Sequence, residues 1–231
     1  HDNRFADLTI KEAQAAHNPF YRLRVRLKKE IVSLGVDGVD PNQMVGTYVE
    51  PEQWNQIVED PEILMIDTRN DYEIRIGTFK NAEHLDLETF RAFPEAARSI
   101  PEEQKTEPMV TFCTGGIRCA KAAPLLESYG FEEVYELKGG VLKYFEECGD
   151  AFWDGECFVF DGRVAVDHAL RPGRYDMCHA CRMPLSDDDK AHPAYAPGVS
   201  CHHCIDMTDE ASRARFAERQ KQITLARARG E

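Results

Sequence analysis

Apolar positions along this chain fall into short blocks separated by turn residues. ILMID (63–67) and MVTFC (109–113) are unbroken apolar runs that end on a polar or thiol residue, the pattern of strands buried on both faces of a parallel sheet. VYEL (134–137) is a third such block. PEQWNQIV, from Pro51, predicts a short helix with proline in its first turn. RCAKAAPLLESYG predicts a helix closed by Gly130, and VLKYFEEC predicts another after the Gly139–Gly140 turn. Strands alternating with helices over about 100 residues predict an α/β fold with a parallel sheet.

Both ends depart from this pattern. In PFYRLRVRLKKEIVSLG, Arg22, Arg24, Arg26 and Lys28 alternate with Leu23, Val25 and Leu27, the period of a half-buried strand. A lone strand cannot bury its apolar face. The chain also opens on His1 rather than Met, which predicts a fragment of a longer N-terminal α+β domain. VDGVDPNQMVG (36–46) is turn-rich and reads as a linker. Past Gly149, ECFVFDGRVAV (156–166) predicts two short strands around an Asp-Gly turn, followed by a stretch rich in Pro, Gly, Cys and His. From about Asp209 a polar helix is predicted, carrying Arg213, Arg215, Arg219, Lys221, Arg227 and Arg229.

Composition narrows the class. Of 231 residues, 42% are apolar and 30% charged, enough apolar material for a core and too much for a disordered chain. No apolar run approaches the ~18 residues that span a bilayer, and the start lacks the order of a signal peptide. With 28 basic against 41 acidic residues the net charge is -13, so nucleic-acid binding requires a local basic surface. Eight cysteines without a secretory signal read as reduced thiols engaged in metal or sulfur chemistry, which predicts a cytoplasmic protein.

CTGGIRC (113–119) lies between a predicted strand and a predicted helix, at the carboxyl edge where α/β sheets bind ligands. Gly115 and Gly116 let backbone N–H groups turn toward the Cys113 sulfur as an anion nest. A thiol at a helix N-terminus with Arg118 nearby is expected to ionise readily, as a nucleophile or sulfur carrier requires. The bland alternative is a buried strand-end cysteine before a glycine turn. Cys119, in the first helical turn, reads as a small packing residue or as a resolving thiol for Cys113. Asp67 and Arg69 read first as a structural pair holding a strand end.

Cys178, Cys181, Cys201 and Cys204 form two CxxC pairs separated by nineteen residues. That spacing suits a closed four-thiolate structural zinc site, which would stabilise a segment poor in core residues; a redox pair is the rival. His179, His202 and His203 are expected to lie outside the ligand set, and Cys148 and Cys157 to be packing residues. On one strand face, Arg22, Arg24, Arg26 and Lys28 would repeat at ~7 Å, close to the spacing of phosphates along an RNA strand; a solvated face explains them equally well. The C-terminal basic helix reads first as solvated, with RNA contact as the alternative.

Three motifs resemble the rhodanese superfamily: IDTRNDYE (66–73) followed by IGTFKNAEHL, the six-residue loop CTGGIR, and LKGGVLKYFE. The resemblance covers roughly residues 46–150. It implies that Cys113 is the catalytic, persulfide-type cysteine and Arg118 an anion-binding loop residue. With RLRVRLKKEIV ahead and ECFVFD and the CxxC pairs behind, the whole plan resembles the bacterial rhodanese-type (TrhO-like) tRNA uridine(34) hydroxylases. That implies a partial ferredoxin-like domain and linker over 1–40, a rhodanese domain over 41–150 and a Cys-rich region over 151–231. It further implies a tRNA partner, molecular oxygen as co-substrate and formation of 5-hydroxyuridine dependent on Cys113. The residues themselves carry no signature of an organic cofactor and no 2-His-1-carboxylate set. They support a persulfide sulfurtransferase as the alternative activity, and a catalytically idle binding module as a third.

Overall fold

The structure is a computed structural model and describes residues 14, 17–20, 22–39 and 46–230. At its centre, β1 (Thr47–Val49), β2 (Leu64–Asp67), β4 (Glu83–His84), β5 (Met109–Phe112) and β6 (Val134–Leu137) form one sheet in the order β1-β6-β5-β2-β4. Every pairing in it is parallel. The predicted strands lie where the apolar runs placed them, because parallel strands covered on both faces need unbroken apolar sequence.

Helices cover both faces. α1 (Pro51–Val58) and α5 (Gly140–Cys148) lie on one, where Trp54, Phe79, Phe112 and Tyr144 pack edge to face. α3 (Phe93–Arg98) and α4 (Cys119–Ser128) lie on the other, over Ile66, Met109 and Val134. Burial of aromatics on this scale contributes roughly 2–3 kcal/mol each. In chain order between β2 and β4 come α2 (Asp71–Ile74) and β3 (Gly77–Phe79), and β3 pairs antiparallel with β7 (Trp153–Gly155).

The sequence-predicted strand at 22–28 does not form. Among the described residues nothing before Gly46 is helix or strand. Leu23, Val25 and Leu27 are 92%, 87% and 103% exposed, and Arg22, Arg24, Arg26 and Lys28 are exposed beside them. Alternation supplied an amphipathic pattern, but the described residues supply no partner strand to cover its apolar side. The linker expectation is also corrected in part. Leu34 is buried in the α4-side core, with Val32, Val36 and Val39 packed against it. Lys121 ties this arm down through Glu30 Oε2 (2.9 Å) and the Val32 carbonyl. Residues 40–45 of that stretch lie outside the described residues.

Behind the sheet, β8 (Cys157–Phe158) pairs with β9 (Ala165–Val166) around the expected Asp161–Gly162 turn. β10 (Asp176–Met177) and β11 (Pro184–Leu185) form a second hairpin, followed by α6 (Asp187–Ala191) and α7 (Glu210–Ala228). The Asp209 side chain caps α7 by accepting from Ser212 N (2.6 Å). No described helix is long and apolar enough to cross a membrane.

Candidate active site and four-cysteine cluster

Cys113 leaves the carboxyl end of β5, and its loop is built by the backbone. The Gly116 N–H donates to Cys113 Sγ at 3.1 Å, and the N–H groups of Arg118 and Cys119 are also directed at it. Gly116 reaches this position at φ +88°, a region costly for residues with a Cβ. From the other side, the first turn of α5 clamps the loop: Val141 and Leu142 donate to the carbonyls of Cys113 (3.0 Å) and Thr114 (3.1 Å). A Cβ on Gly140, at φ +70°, would stand 2.4 Å from the Cys113 carbonyl oxygen and 2.8 Å from the Gly115 and Gly116 nitrogens. The glycine pair at 139–140 and the pair at 115–116 are thus two halves of one cradle.

The electrostatics follow. The Cys113 thiol is pulled down to about 5, first by the hydrogen bond from the Cys119 thiol, then by the Arg118 charge and the loop N–H groups, against the opposing effect of burial. Cys119 moves the other way, well above its ordinary value, because it is buried and faces a neighbouring thiolate. Cys113 is therefore the thiolate of the pair and Cys119 its hydrogen-bond donor. Both thiols are free, and both are buried, at 2% and 0% exposure. Thr68 Oγ1 lies 3.6 Å from Cys119 Sγ and donates to the Phe112 carbonyl at 2.9 Å.

Arg118 occupies a different position from an open anion-binding residue. Its guanidinium forks onto Glu73, Nη1 to Oε2 at 2.6 Å and Nη2 to Oε1 at 2.7 Å, with 6% of the residue exposed. Glu73 also accepts from Asn70 N (3.1 Å) and Thr114 Oγ1 (3.4 Å). Arg118 thus holds the loop to α2 and lends Cys113 its positive field from the side. Asp67 and Arg69 are the expected structural pair, fully buried and bidentate at 2.6–2.9 Å. Arg69 also donates to the Gly77 carbonyl, which latches the end of β2 to β3.

Sequence reasoning missed two carboxylates. Glu73 stands inside IDTRNDYE, three residues after Asn70, a helix-start spacing that signals its local role. Glu136 sits in the middle of an apolar strand, 1% exposed. A charged residue in a parallel core strand is itself the signal.

In the C-terminal region the sulfurs of Cys178, Cys181, Cys201 and Cys204 all lie within 4.8 Å of one another. Cys181 and Cys201 sulfurs are 3.6 Å apart, and those of Cys201 and Cys204 are 3.8 Å apart. Four thiolates around one zinc at ≈ 2.3 Å stand about 3.8 Å from each other, so this donor set fits a tetrahedral metal such as zinc. His179 is exposed, His202 and His203 are half-buried, and none belongs to the cluster. Cys157 is buried, its thiol pushed up to about 12 by desolvation, and Cys148 is half-buried; neither joins a site. α7 braces the cluster. Arg219 donates to the carbonyls of His179 (3.1 Å) and Gly198 (2.9 Å), and Arg213 donates to that of Ile205 (3.0 Å).

Residues 50–147 match the family model of the rhodanese-like domain. This segment of the chain is similar to the rhodanese-like domain. Among solved structures, the Alr3790 protein of Anabaena sp. is 24% identical over 46% of this chain and 91% of that one, with a TM-score of 0.39. The single-domain sulfurtransferase RDL2 of Saccharomyces cerevisiae is 19% identical over 46% and 93%, with a TM-score of 0.38. The polysulfide-sulfur transferase of Wolinella succinogenes is 30% identical over 44% and 74%, with a TM-score of 0.35. Cys113, its loop and the α5 clamp all fall inside the rhodanese-like segment, whereas the four-cysteine cluster and α7 lie beyond it.

Proposed function

We propose that this protein is a sulfurtransferase in which Cys113 takes up sulfane sulfur as a persulfide and passes it to an acceptor. One observation carries the reading: the buried Cys113 sulfur accepts the Gly116 N–H at 3.1 Å inside a loop whose N–H groups and neighbouring Cys119 thiol draw it well below the ordinary thiol range. Such a cradle favours a nucleophile whose passenger is a single anionic atom. Loading from thiosulfate balances as attack of the Cys113 thiolate on the sulfane sulfur, cleavage of the S–S bond and departure of sulfite.

A second reading is oxygen-dependent hydroxylation of uridine 34 in tRNA at the same cysteine, in a cytoplasmic enzyme. What favours it is the combination of the Cys113 loop with a metal-type cluster and a helix whose Arg215, Lys221 and Arg227 are exposed. Exposed cations on one helix suit a phosphate backbone. The exposed Arg22, Arg24, Arg26 and Lys28 would extend that contact. Zinc at the four cysteines would be structural, holding the platform for α7.

One experiment separates the two. The protein, wild type and Cys113→Ser, is expressed in a strain lacking its own copy, and tRNA nucleosides are scored by mass spectrometry for 5-hydroxyuridine derivatives and thiouridines together. In parallel, purified protein is incubated with thiosulfate. A Cys113 persulfide in the wild type, with cyanide-dependent turnover and unchanged hydroxyuridine, supports sulfur transfer. Hydroxyuridine restored by the wild type alone, without a persulfide, replaces it with the hydroxylase.

A further inference from the structure

Glu136 is a buried acid that the persulfide chemistry of Cys113 does not use. It lies on β6 in register between Tyr48 of β1 and Thr111 of β5, so these three side chains share the sheet face that α4 covers. Two residues beyond Thr111, β5 gives way to Cys113, about 7 Å further along the same face. The carboxylate reaches toward α4: a Cβ on Gly46 would meet Ala123 Cβ at 2.9 Å and Glu136 Oε1 at 3.0 Å. Neither Oε1 nor Oε2 has a hydrogen-bond partner among the described residues. A buried carboxylate left without donors is costly. The groups that share its field are Cys113, Cys119 and Tyr48.

We propose that Cys113, Cys119 and Glu136 form a relay that ejects sulfur as hydrosulfide: the Cys119 sulfur attacks Cys113 Sγ of the persulfide, and Glu136 takes the Cys119 proton. This rests on the persulfide reading of Cys113. The bond formed joins Cys113 Sγ to Cys119 Sγ, and the bond broken is that between Cys113 Sγ and the sulfane sulfur. The electron pair leaves with the sulfane sulfur, which is reduced to sulfide, while the two cysteines are oxidised to a disulfide. Glu136 hands its proton to the departing sulfur and returns to a carboxylate. The sum is persulfide anion plus Cys119 thiol giving disulfide plus hydrosulfide, and an external thiol then resets the pair.

Cys119 needs a base because its thiol holds its proton tightly beside Cys113. The other charged groups around it are committed elsewhere. Glu73 is forked onto Arg118, and Lys121 points away to Glu30 and the Val32 carbonyl. Tyr48, about half exposed, is pushed above its ordinary range by partial desolvation and by Glu136 itself, so it is no base near neutrality. Glu136, raised to about 7 by desolvation and by the Cys113 charge, exchanges a proton near neutrality, where a general base works best.

The test is a single turnover. Protein is loaded with thiosulfate without added thiol, and persulfide, disulfide and released sulfide are followed by mass spectrometry and a sulfide probe across pH 5–9. Wild type should release sulfide with a rate that climbs through pH 7 and levels above it. Glu136→Gln should load Cys113 normally, release sulfide roughly 10²-fold more slowly and lose the inflection, while Glu136→Asp keeps it. Cys119→Ser should hold its persulfide. Alkylation of Cys113 in each variant reports an intact loop. Release at wild-type rate and pH profile from a loaded Glu136→Gln protein overturns the relay and leaves the sulfur carrier standing. Absence of persulfide on Cys113 in every variant overturns the carrier and the relay together.

Discussion

Two regions of this molecule are built around cysteine, and they handle it in opposite ways. At Cys113 a large core fixes the backbone first, and the backbone then stabilises one anionic sulfur with N–H groups, a thiol and a guanidinium held to one side. In the C-terminal region the core around the sulfurs is small, with Leu185 as its one buried residue that is not cysteine among the described members. There four sulfurs converge within 4.8 Å, and their mutual repulsion as thiolates calls for a cation. The difference teaches that identical side chains can be held as a single anion by the fold's own donors or gathered into a set whose repulsion a metal ion would have to offset.

The largest test of that contrast is chelation of a metal at the four cysteines. A strong chelator, or Cys204→Ser, should unfold the region around β10, β11 and α6, because zinc binding to such sites is worth about 10–16 kcal/mol of folding energy. Hydrogen exchange should show the loss there, while alkylation of Cys113 stays at its wild-type rate. If Cys113 slows in parallel, the two regions are one unit and the contrast fails.

Next in size is the Arg118–Glu73 fork. Glu73→Ala leaves a buried guanidinium unpaired and should cost about 3–5 kcal/mol in denaturant unfolding. It should also shift the pH midpoint of Cys113 alkylation away from about 5, because the loop loses its anchor to α2. A loss of stability with the midpoint unchanged would show that the backbone alone sets the thiolate.

Glu136 gives a smaller, pH-dependent effect. A carboxylic acid whose folded-state value is raised binds its proton more tightly in the native state, so it takes stability away as pH rises from the ordinary carboxyl range through about 7. Above that window the loss is complete, about 3 kcal/mol for a shift of this size. Glu136→Gln should therefore be more stable than wild type at pH 8 and equal to it at pH 4, measured by urea unfolding at both values. Equal stability at pH 8 would place the carboxylate in water. Smallest are the exposed cations: Lys221→Glu with Arg227→Glu should change stability by less than about 0.5 kcal/mol, so any loss of tRNA retention in the pair reports binding and not folding.

Much of the site was legible because its parts are local. Strand, thiol, two glycines, arginine and helix follow one another in CTGGIRC, and CxxC spacing states a ligand set without help from the fold. Two readings misjudged what the chain does at a distance. The alternation at 22–28 is a real strand pattern, yet a strand exists only where a neighbour accepts its hydrogen bonds. Arg118 reads as an anion-binding loop residue, and its clasp on Glu73 escaped because that partner is 45 residues away in sequence. The basic helix was legible as a helix, but not the use of Arg213 and Arg219 to hold carbonyls of the cluster.

By itself the sequence determined the alternating α/β plan, the strand–Cys113 loop–helix segment and the four-cysteine set, since each depends on short-range periodicity or spacing that the backbone reads locally. Only the tertiary structure decided which of two cysteines is drawn toward the thiolate, that Arg118 is clamped and not open, that Gly140 presses on the Cys113 loop, and that Glu136 is buried without a hydrogen-bond partner among the described residues. Those outcomes depend on burial and on partners brought together by parallel strands far apart in the chain. Desolvation and Coulomb interactions act through space, and linear order does not encode which charges will share a low-dielectric pocket.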